Sequence, residues 1–395
     1  MSIKSIRDIN VRGKRVFFRF DFNVPLDQSG QIKDDTRIRR ALPTIRYAID
    51  QGAKSILTSH LGRPKGEKKP EMSLRPVGVY LESLLGQEVR FVDDCVGKQA
   101  QDAAASLPNG AVLLLENLRF HAGETKNDPK FAAELAALAD VYVNDAFGTA
   151  HRAHASTVGV PQLVTEKAAG LLMKEELENL DKAFSNPTTP VVAIFGGAKV
   201  SDKLEVLRHI LQRMDCVLIG GGMANTFLRA QGFGTGASSV EEDMIGTASE
   251  IMESARKREC AFVLPSDVVV AKKMEAGVDA AVVATSSIPD AEMALDIGPE
   301  TVDRFTGEIR KAGTIVWNGP MGVFEIEGFE RGTMKTAQAV ASASGFSVVG
   351  GGDTIRAIRQ AGVAEKISYV STGGGAFMEY MEGKTLPGVA ALETS

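Results

Sequence analysis

Two textures alternate along this chain. Short β-rich runs occur at Val16–Phe20, Ile56–Ser59, Val112–Leu115, Val191–Phe195, Val217–Ile219, Thr314–Trp317, Phe346–Val349 and Tyr369–Ser371. Helical periodicity lies between them, as in Ile38, Leu42, Ile45 and Ile49, spaced four, three and four. Strands that alternate with helices predict an α/β fold with doubly wound parallel sheets, helices covering both faces. The pattern restarts once. Residues 168–184 read as a helix with Met173, Leu177, Leu180 and Phe184 on one face, stopped by Asn186-Pro187, and a new strand follows Pro190. A single core stops growing near ~250–300 residues, so 395 residues predict two domains. The expected division is 1–170, an interdomain helix at 171–186, and a second domain at 187–380.

Composition changes this picture little. The chain is 44% hydrophobic and 24% charged, ordinary for a globular protein. Its net charge of −5 argues against a general nucleic-acid binder. The charge is uneven: residues 1–165 carry 23 Lys and Arg against 19 Asp and Glu, the rest 22 against 31. A basic half in an acidic protein suggests that the first domain handles an anion. The start, MSIKSIRDINVRGKRVFF, lacks the apolar stretch of a signal peptide, and no apolar run approaches the ~18 residues of a membrane span. Cys95, Cys216 and Cys260 form no close pair, which fits a reducing compartment. The expected location is cytoplasmic.

The unusual residues fall just after the predicted strands, where open α/β sheets bind ligands. Asp21-Phe22-Asn23, His60-Leu61-Gly62-Arg63 and Glu116-Asn117-Leu118-Arg119 follow three strands of the first half. Arg37, Arg63, Arg119 and Arg152, with His60 and His151, suit a small polyanion, because a guanidinium donates two parallel hydrogen bonds to carboxylate or phosphate. Asp21 and Asn23 suit a hydroxyl. His151 and His154 have a spacing open to a metal, but no further Cys or His accompanies them. In the second half no G-x-x-x-x-G-K-[ST] and no strict G-x-G-x-x-G occurs. Gly196-Gly197-Ala198-Lys199 leads towards a helix expected at Ser201, and Gly350-Gly351-Gly352-Asp353-Thr354 towards another. Gly-freed amides at helix starts bind phosphate. Lys199 and Lys203 add positive charge, and Asp353 suits Mg²⁺, which takes one or two carboxylates beside phosphates and water.

These residues stand in phrases that resemble the phosphoglycerate kinase family. They are Arg19–Pro25, Ser59–Pro64, Glu116–Phe120, Asn144–Arg152, Gly196–Lys203, Trp317–Glu325 and Gly350–Thr354. The resemblance implies two Rossmann-like domains, with residues 381–395 returning to the first. It implies 3-phosphoglycerate on the first domain, held by Asp21, Asn23, His60, Arg63, Arg119 and Arg152, with Arg37 reaching the transferring phosphoryl group. It implies a nucleotide on the second, with Lys199, Lys203, Gly351, Gly352, Asp353 and Thr354 at its phosphates, Glu325 at the ribose, and Asn318 and Gly220–Gly222 in the pocket. Gly373–Gly375 resembles a further Gly loop facing the transferred group. Arg37, Lys199 and Gly352 are the expected catalytic groups, and Asp353 the metal-linked carboxylate. The implied reaction moves a phosphoryl group from 1,3-bisphosphoglycerate to ADP, in line, with Mg²⁺ and domain closure. The expected partners are these small molecules, with no nucleic acid and no membrane, and the chain is expected to act as a monomer. A dehydrogenase or a silent binding protein on the same fold are the alternatives. Missing dinucleotide fingerprints oppose the first, and joint retention of Arg37, Lys199 and Asp353 opposes the second.

Overall fold

The structure, a computed structural model, describes residues 3–393. Residues 1–2 and 394–395, the ends of the expected first domain and tail, lie outside the described residues. The chain divides into two compact units, Met1–Leu177 with Thr385–Ser395, and Glu178–Lys384.

In the first unit, β1 (Arg15–Arg19), β2 (Lys54–Thr58), β3 (Val89–Val92), β4 (Val112–Leu115), β5 (Val141–Asn144) and β6 (Glu166–Ala169) form one parallel sheet, ordered β3-β4-β2-β1-β5-β6. Both faces are covered, so β4 and β5 are buried along their whole length and read as continuous apolar runs. The Thr36–Asp50 helix buries Ile38, Ala41, Ile45 and Ala48, while Leu42 and Ile49 lie half-buried at the flank of that core. Thr385–Glu393 belongs to this unit. Gly388 N donates to Ala150 O at 2.8 Å, and Leu386 and Leu392 are buried.

In the second unit, β7 (Val191–Phe195), β8 (Cys216–Ile219), β9 (Ala261–Val263), β13 (Thr314–Asn318), β14 (Phe346–Val349) and β15 (Tyr369–Val370) form another parallel sheet, ordered β15-β14-β13-β7-β8-β9. The chain runs outward from β7 to β8 and β9, then returns beside β7 with β13. The crevice where strand order reverses therefore opens beyond β7 and β13. An antiparallel sheet of β10 (Asp267–Ala271), β11 (Ala280–Ala284) and β12 (Met293–Ile297), ordered β11-β10-β12, was not anticipated.

Two boundaries differ from expectation. The helix expected from residue 168 runs from Leu171 to Phe184. Ala168 and Ala169 are instead ladder partners of Val143 and Asn144, and Gly170 N bonds Asn144 O at 2.9 Å. The helix expected at Ser201 begins at Leu204 and has 7 residues. Glu241 holds the stretch before it in a turn, accepting from Val200 N at 2.5 Å and from Ser201 N at 3.1 Å.

Candidate functional site

In the first unit the anticipated residues form two groups joined at Gly62. Arg37 Nη1 donates to Asp21 Oδ1 at 3.0 Å and to Asn23 O at 3.1 Å. Asn23 Oδ1 accepts from Gly62 N at 2.8 Å, and Gly62 O accepts from Arg119 Nη1 at 2.8 Å. Backbone polar groups at the β2 end thus fix both groups to one loop. Arg63, Arg119 and Arg152, with Lys65, Lys126 and His154, line a cavity of about 410 Å³.

Arg119 is the sharpest feature. It is 5% exposed, yet its Nε and Nη2 are buried with no hydrogen-bond partner among the described residues. Burial, then the positive charges of Arg19 and Arg152, lower its pKa to about 10. A buried guanidinium with two unpartnered nitrogens has the donor geometry suited to an anion. His60 does not add charge. Burial, then Arg19 and Arg119, push its pKa well below the ordinary value, so it is neutral at pH 7. Arg19 Nη2 lies 3.1 Å from His60 Nδ1. A guanidinium only donates, so Nδ1 accepts and the ring hydrogen sits on Nε2.

Two positions went unread in the sequence. Arg19 is fully buried inside β1 and donates from Nε to Ser156 Oγ at 2.8 Å. Glu124, also fully buried, accepts from Ser156 N at 3.0 Å and Ser156 Oγ at 2.6 Å. Together they brace the floor beneath His60 and His154. His154 is pushed to about 3 by burial and then by Arg19 and Arg119.

In the second unit a cavity of about 450 Å³ opens beyond β7, β8 and β13. Gly197, Gly221, Gly222, Lys199, Glu325 and Asp353 line it. Gly196 and Gly351 are required here for different reasons. A Cβ on Gly196 would lie 1.8 Å from Pro320 O, where the two strand ends cross. Gly351 caps the Gly352–Gln360 helix at φ 95°, a left-handed conformation that side chains disfavour. A Cβ on Gly352 would meet nothing within 4 Å, so open space lies beside the helix start.

The other anticipated residues sit behind this surface. Lys203 Nζ donates to Asn318 Oδ1, and Asn318 Nδ2 donates to Gly350 O at 2.8 Å. Burial lowers the Lys203 pKa to about 8. Thr354 is buried, its Oγ1 accepting from Gly319 N at 2.7 Å. Its hydroxyl therefore ties the two Gly loops together. Arg356 was missed. Its Nη2 reaches Glu325 Oε1 at 3.0 Å and Asp353 Oδ1 at 2.7 Å, holding both acids at the cavity edge. The spacing of three from Asp353 was the available signal. Arg356 occupies Oδ1 only, and Oδ2 has no partner among the described residues. An accessible carboxylate oxygen beside a Gly loop at a helix start fits Mg²⁺, a hard cation that takes oxygen ligands. Gly373–Gly375 lies in this unit too, with Gly374 at φ 51° before the Gly375–Met381 helix.

No helix among the described residues is long and apolar enough to cross a membrane. The family model described as phosphoglycerate kinase matches residues 6–384. This chain is 55% identical over 392 residues to a phosphoglycerate kinase from Moorella thermoacetica, covering 99% of each. It is 56% identical over 400 residues to one from Koribacter versatilis, again covering 99% of each. Among solved structures it is similar to phosphoglycerate kinase from Coxiella burnetii, at TM-score 0.93 and 42% identity over 99% of both chains. The Pyrococcus horikoshii phosphoglycerate kinase aligns at TM-score 0.85 and 35% identity, over 99% of this chain and 98% of that one.

Proposed function

This chain belongs to the phosphoglycerate kinase family, and from that premise we propose how its residues divide the work. The reaction is the reversible transfer of a phosphoryl group from 1,3-bisphosphoglycerate to ADP, giving 3-phosphoglycerate and ATP. In our reading the first unit binds the glycerate. The buried Arg119, with two guanidinium nitrogens left without partners, is the observation that carries this. Arg63 and Arg152 share its cavity and complete the anion site. Asp21 and Asn23 hold the hydroxyl, and neutral His60 donates from Nε2. The Asp21 carboxylate and Asn23 carbonyl hold Arg37 in place, from which it reaches the phosphoryl group in transfer.

The second unit takes the nucleotide in the Gly-lined cavity. Lys199 and the amides of Gly351 and Gly352 meet the phosphates, and Glu325 meets the ribose. Lys203 and Asn318 support the loop from behind, and Thr354 ties it to Gly319. Asp353 is the carboxylate that would hold Mg²⁺, which when bound draws charge from the phosphate oxygens.

The acceptor in the ATP-consuming direction is a carboxylate, ionised at pH 7, so the site needs no general base. Transfer rests on alignment and on neutralising charge spread over the equatorial oxygens. Arg37, Lys199 and the Gly352 amide are the groups suited to that. Reacting atoms must approach to ~3–3.5 Å, and water must be kept from the phosphoryl group, so transfer is proposed to follow closure with both ligands bound. A coupled assay of ATP consumption tests the assignment. ADP production that depends on 3-phosphoglycerate is expected, and ADP production indifferent to it would overturn the reading.

A further inference from the structure

The second unit holds another cavity, larger than the Gly-lined one. It measures about 820 Å³ and shares no lining residue with the nucleotide cavity. Its walls are the Pro299–Lys311 and Arg331–Ser342 helices, and its floor is the antiparallel sheet. Val302, Thr306 and Arg310 follow one another at spacings of four, as do Arg331, Lys335 and Ala339. Each helix therefore presents one continuous face along the groove. At ~1.5 Å rise per residue, Val302 to Arg310 spans about 12 Å.

The groove pairs two opposite surfaces. Its inner surface is apolar, with Val269 and Ile297 on the sheet, Val278 just before β11 and Val302 on the helix wall, and Val282 at its mouth is 55% exposed. Its rim carries Arg310, Arg331 and Lys335 against a single acid, Asp303. None of the three cations has an ion-pair or hydrogen-bond partner among the described residues, although many other surface Arg and Lys of this chain are paired. The volume lies in the ~300–1,000 Å³ range of small-molecule sites. Gly328 and Gly332 line the groove at the start of the Arg331–Ser342 helix, but both amides are already bonded, Gly328 N to Glu330 Oε2 at 2.6 Å and Gly332 N to Asp296 Oδ2 at 2.6 Å, so neither is open to a phosphate. A ligand that satisfies both surfaces has an apolar body and an anionic head.

We propose that this groove binds a small amphiphilic carboxylate, such as a medium-chain fatty acid anion. The alkyl chain lies on the valine and isoleucine floor, and the carboxylate meets the Arg331 and Lys335 side of the rim. Neither ligand group enters the phosphoryl-transfer site, so nucleotide and carboxylate bind together.

Calorimetric titration of the whole chain with octanoate, decanoate and dodecanoate, each below its micelle concentration, tests this. Saturable one-to-one binding is expected, strengthening by up to about fourfold per added methylene that is buried, and persisting at saturating Mg-ADP. Arg331→Glu with Lys335→Glu is expected to weaken dodecanoate binding by about tenfold or more, the scale of a lost charge-assisted contact, with phosphoryl-transfer turnover retained. Thr306→Trp fills the groove without changing charge and is expected to abolish binding, again with turnover retained. No saturable binding, displacement by ADP, or equal binding to the charge-reversed variant would overturn the proposal. So would equal affinity for dodecanol, which removes the role of the head group. Cosedimentation with phosphatidylglycerol vesicles in the absence of dodecanoate binding would also overturn it, assigning the cations to a membrane surface.

Discussion

Arg119 donates to the backbone oxygen of Gly62 at 2.8 Å and to nothing else from its side chain among the described residues. One nitrogen thus positions the guanidinium while two others are buried without a hydrogen-bond partner among the described residues. Arg119→Lys keeps the charge and loses the fork. Hydrogen bonds to charged groups contribute about 1.5–3 kcal/mol, so 3-phosphoglycerate affinity is expected to fall about 10- to 100-fold with nucleotide affinity unchanged. Calorimetry with each ligand separately measures both, and a fall of less than twofold for 3-phosphoglycerate would remove Arg119 from the anion site.

Arg37 differs from Arg119 in being half exposed and already anchored to Asp21. Its assigned work is in transfer rather than in binding. Arg37→Ala is expected to lower turnover by about 10²–10³, the usual loss for one transition-state donor, with the melting temperature nearly unchanged. A folded variant that keeps half of the parent turnover would place another group in that role.

Much of this arrangement was legible in the sequence, because buried parallel strands are continuous apolar runs and the polar residues after them mark the ligand edge. What stayed hidden depends on contacts distant in sequence or on weak local signals. Glu241 holds Val200 and Ser201 in a turn from 40 residues away, so the helix expected at Ser201 starts late. The strand Ala280–Ala284 is short and Ala-rich, and Ala is a poor strand former. No two-residue hairpin turn joins it to β10 or β12. The His60 motif was readable, but its neutrality was not, since that follows from burial beside Arg19 and Arg119.

Lys203 sets a pH dependence. Burial lowers its pKa to about 8, so it is largely charged at pH 7 and loses that charge as pH rises through about 8. Mg-ADP affinity is expected to fall over that interval, by at most about tenfold per pH unit for one linked proton. Lys203→Met should flatten the profile. Folding responds with the opposite sign. Between about 8 and the ordinary value of 10.5 the unfolded chain binds more protons at this group, so its burial cost fades and its contribution to stability rises with pH. Calorimetry across pH 7 to about 9.5, the window set by this shift, measures the binding. An Mg-ADP affinity in the parent that does not fall across this range would mean that the Lys203 charge behind the Gly loop does not contribute to nucleotide binding.

The C-terminal segment belongs to the first unit through specific contacts. Gly388 N donates to Ala150 O at 2.8 Å, and Gly388 O accepts from Asn144 Nδ2 at 3.4 Å, at the end of β5. Leu392 is 0% exposed and Leu386 is buried. A terminus normally frays unless tied down, and here backbone bonds and apolar burial both tie it. Leu392→Ala is expected to cost about 2–5 kcal/mol, the range for a large aliphatic residue truncated in a packed site. The loss should be local. Asn144 and Ala150 come just before the Arg152 position of the anion site, so hydrogen exchange in residues 141–152 should accelerate together with residues 386–392. Exchange within residues 190–380 should hold, since those residues belong to the other unit. Acceleration confined to 190–380 would show that the segment stabilises the nucleotide unit instead.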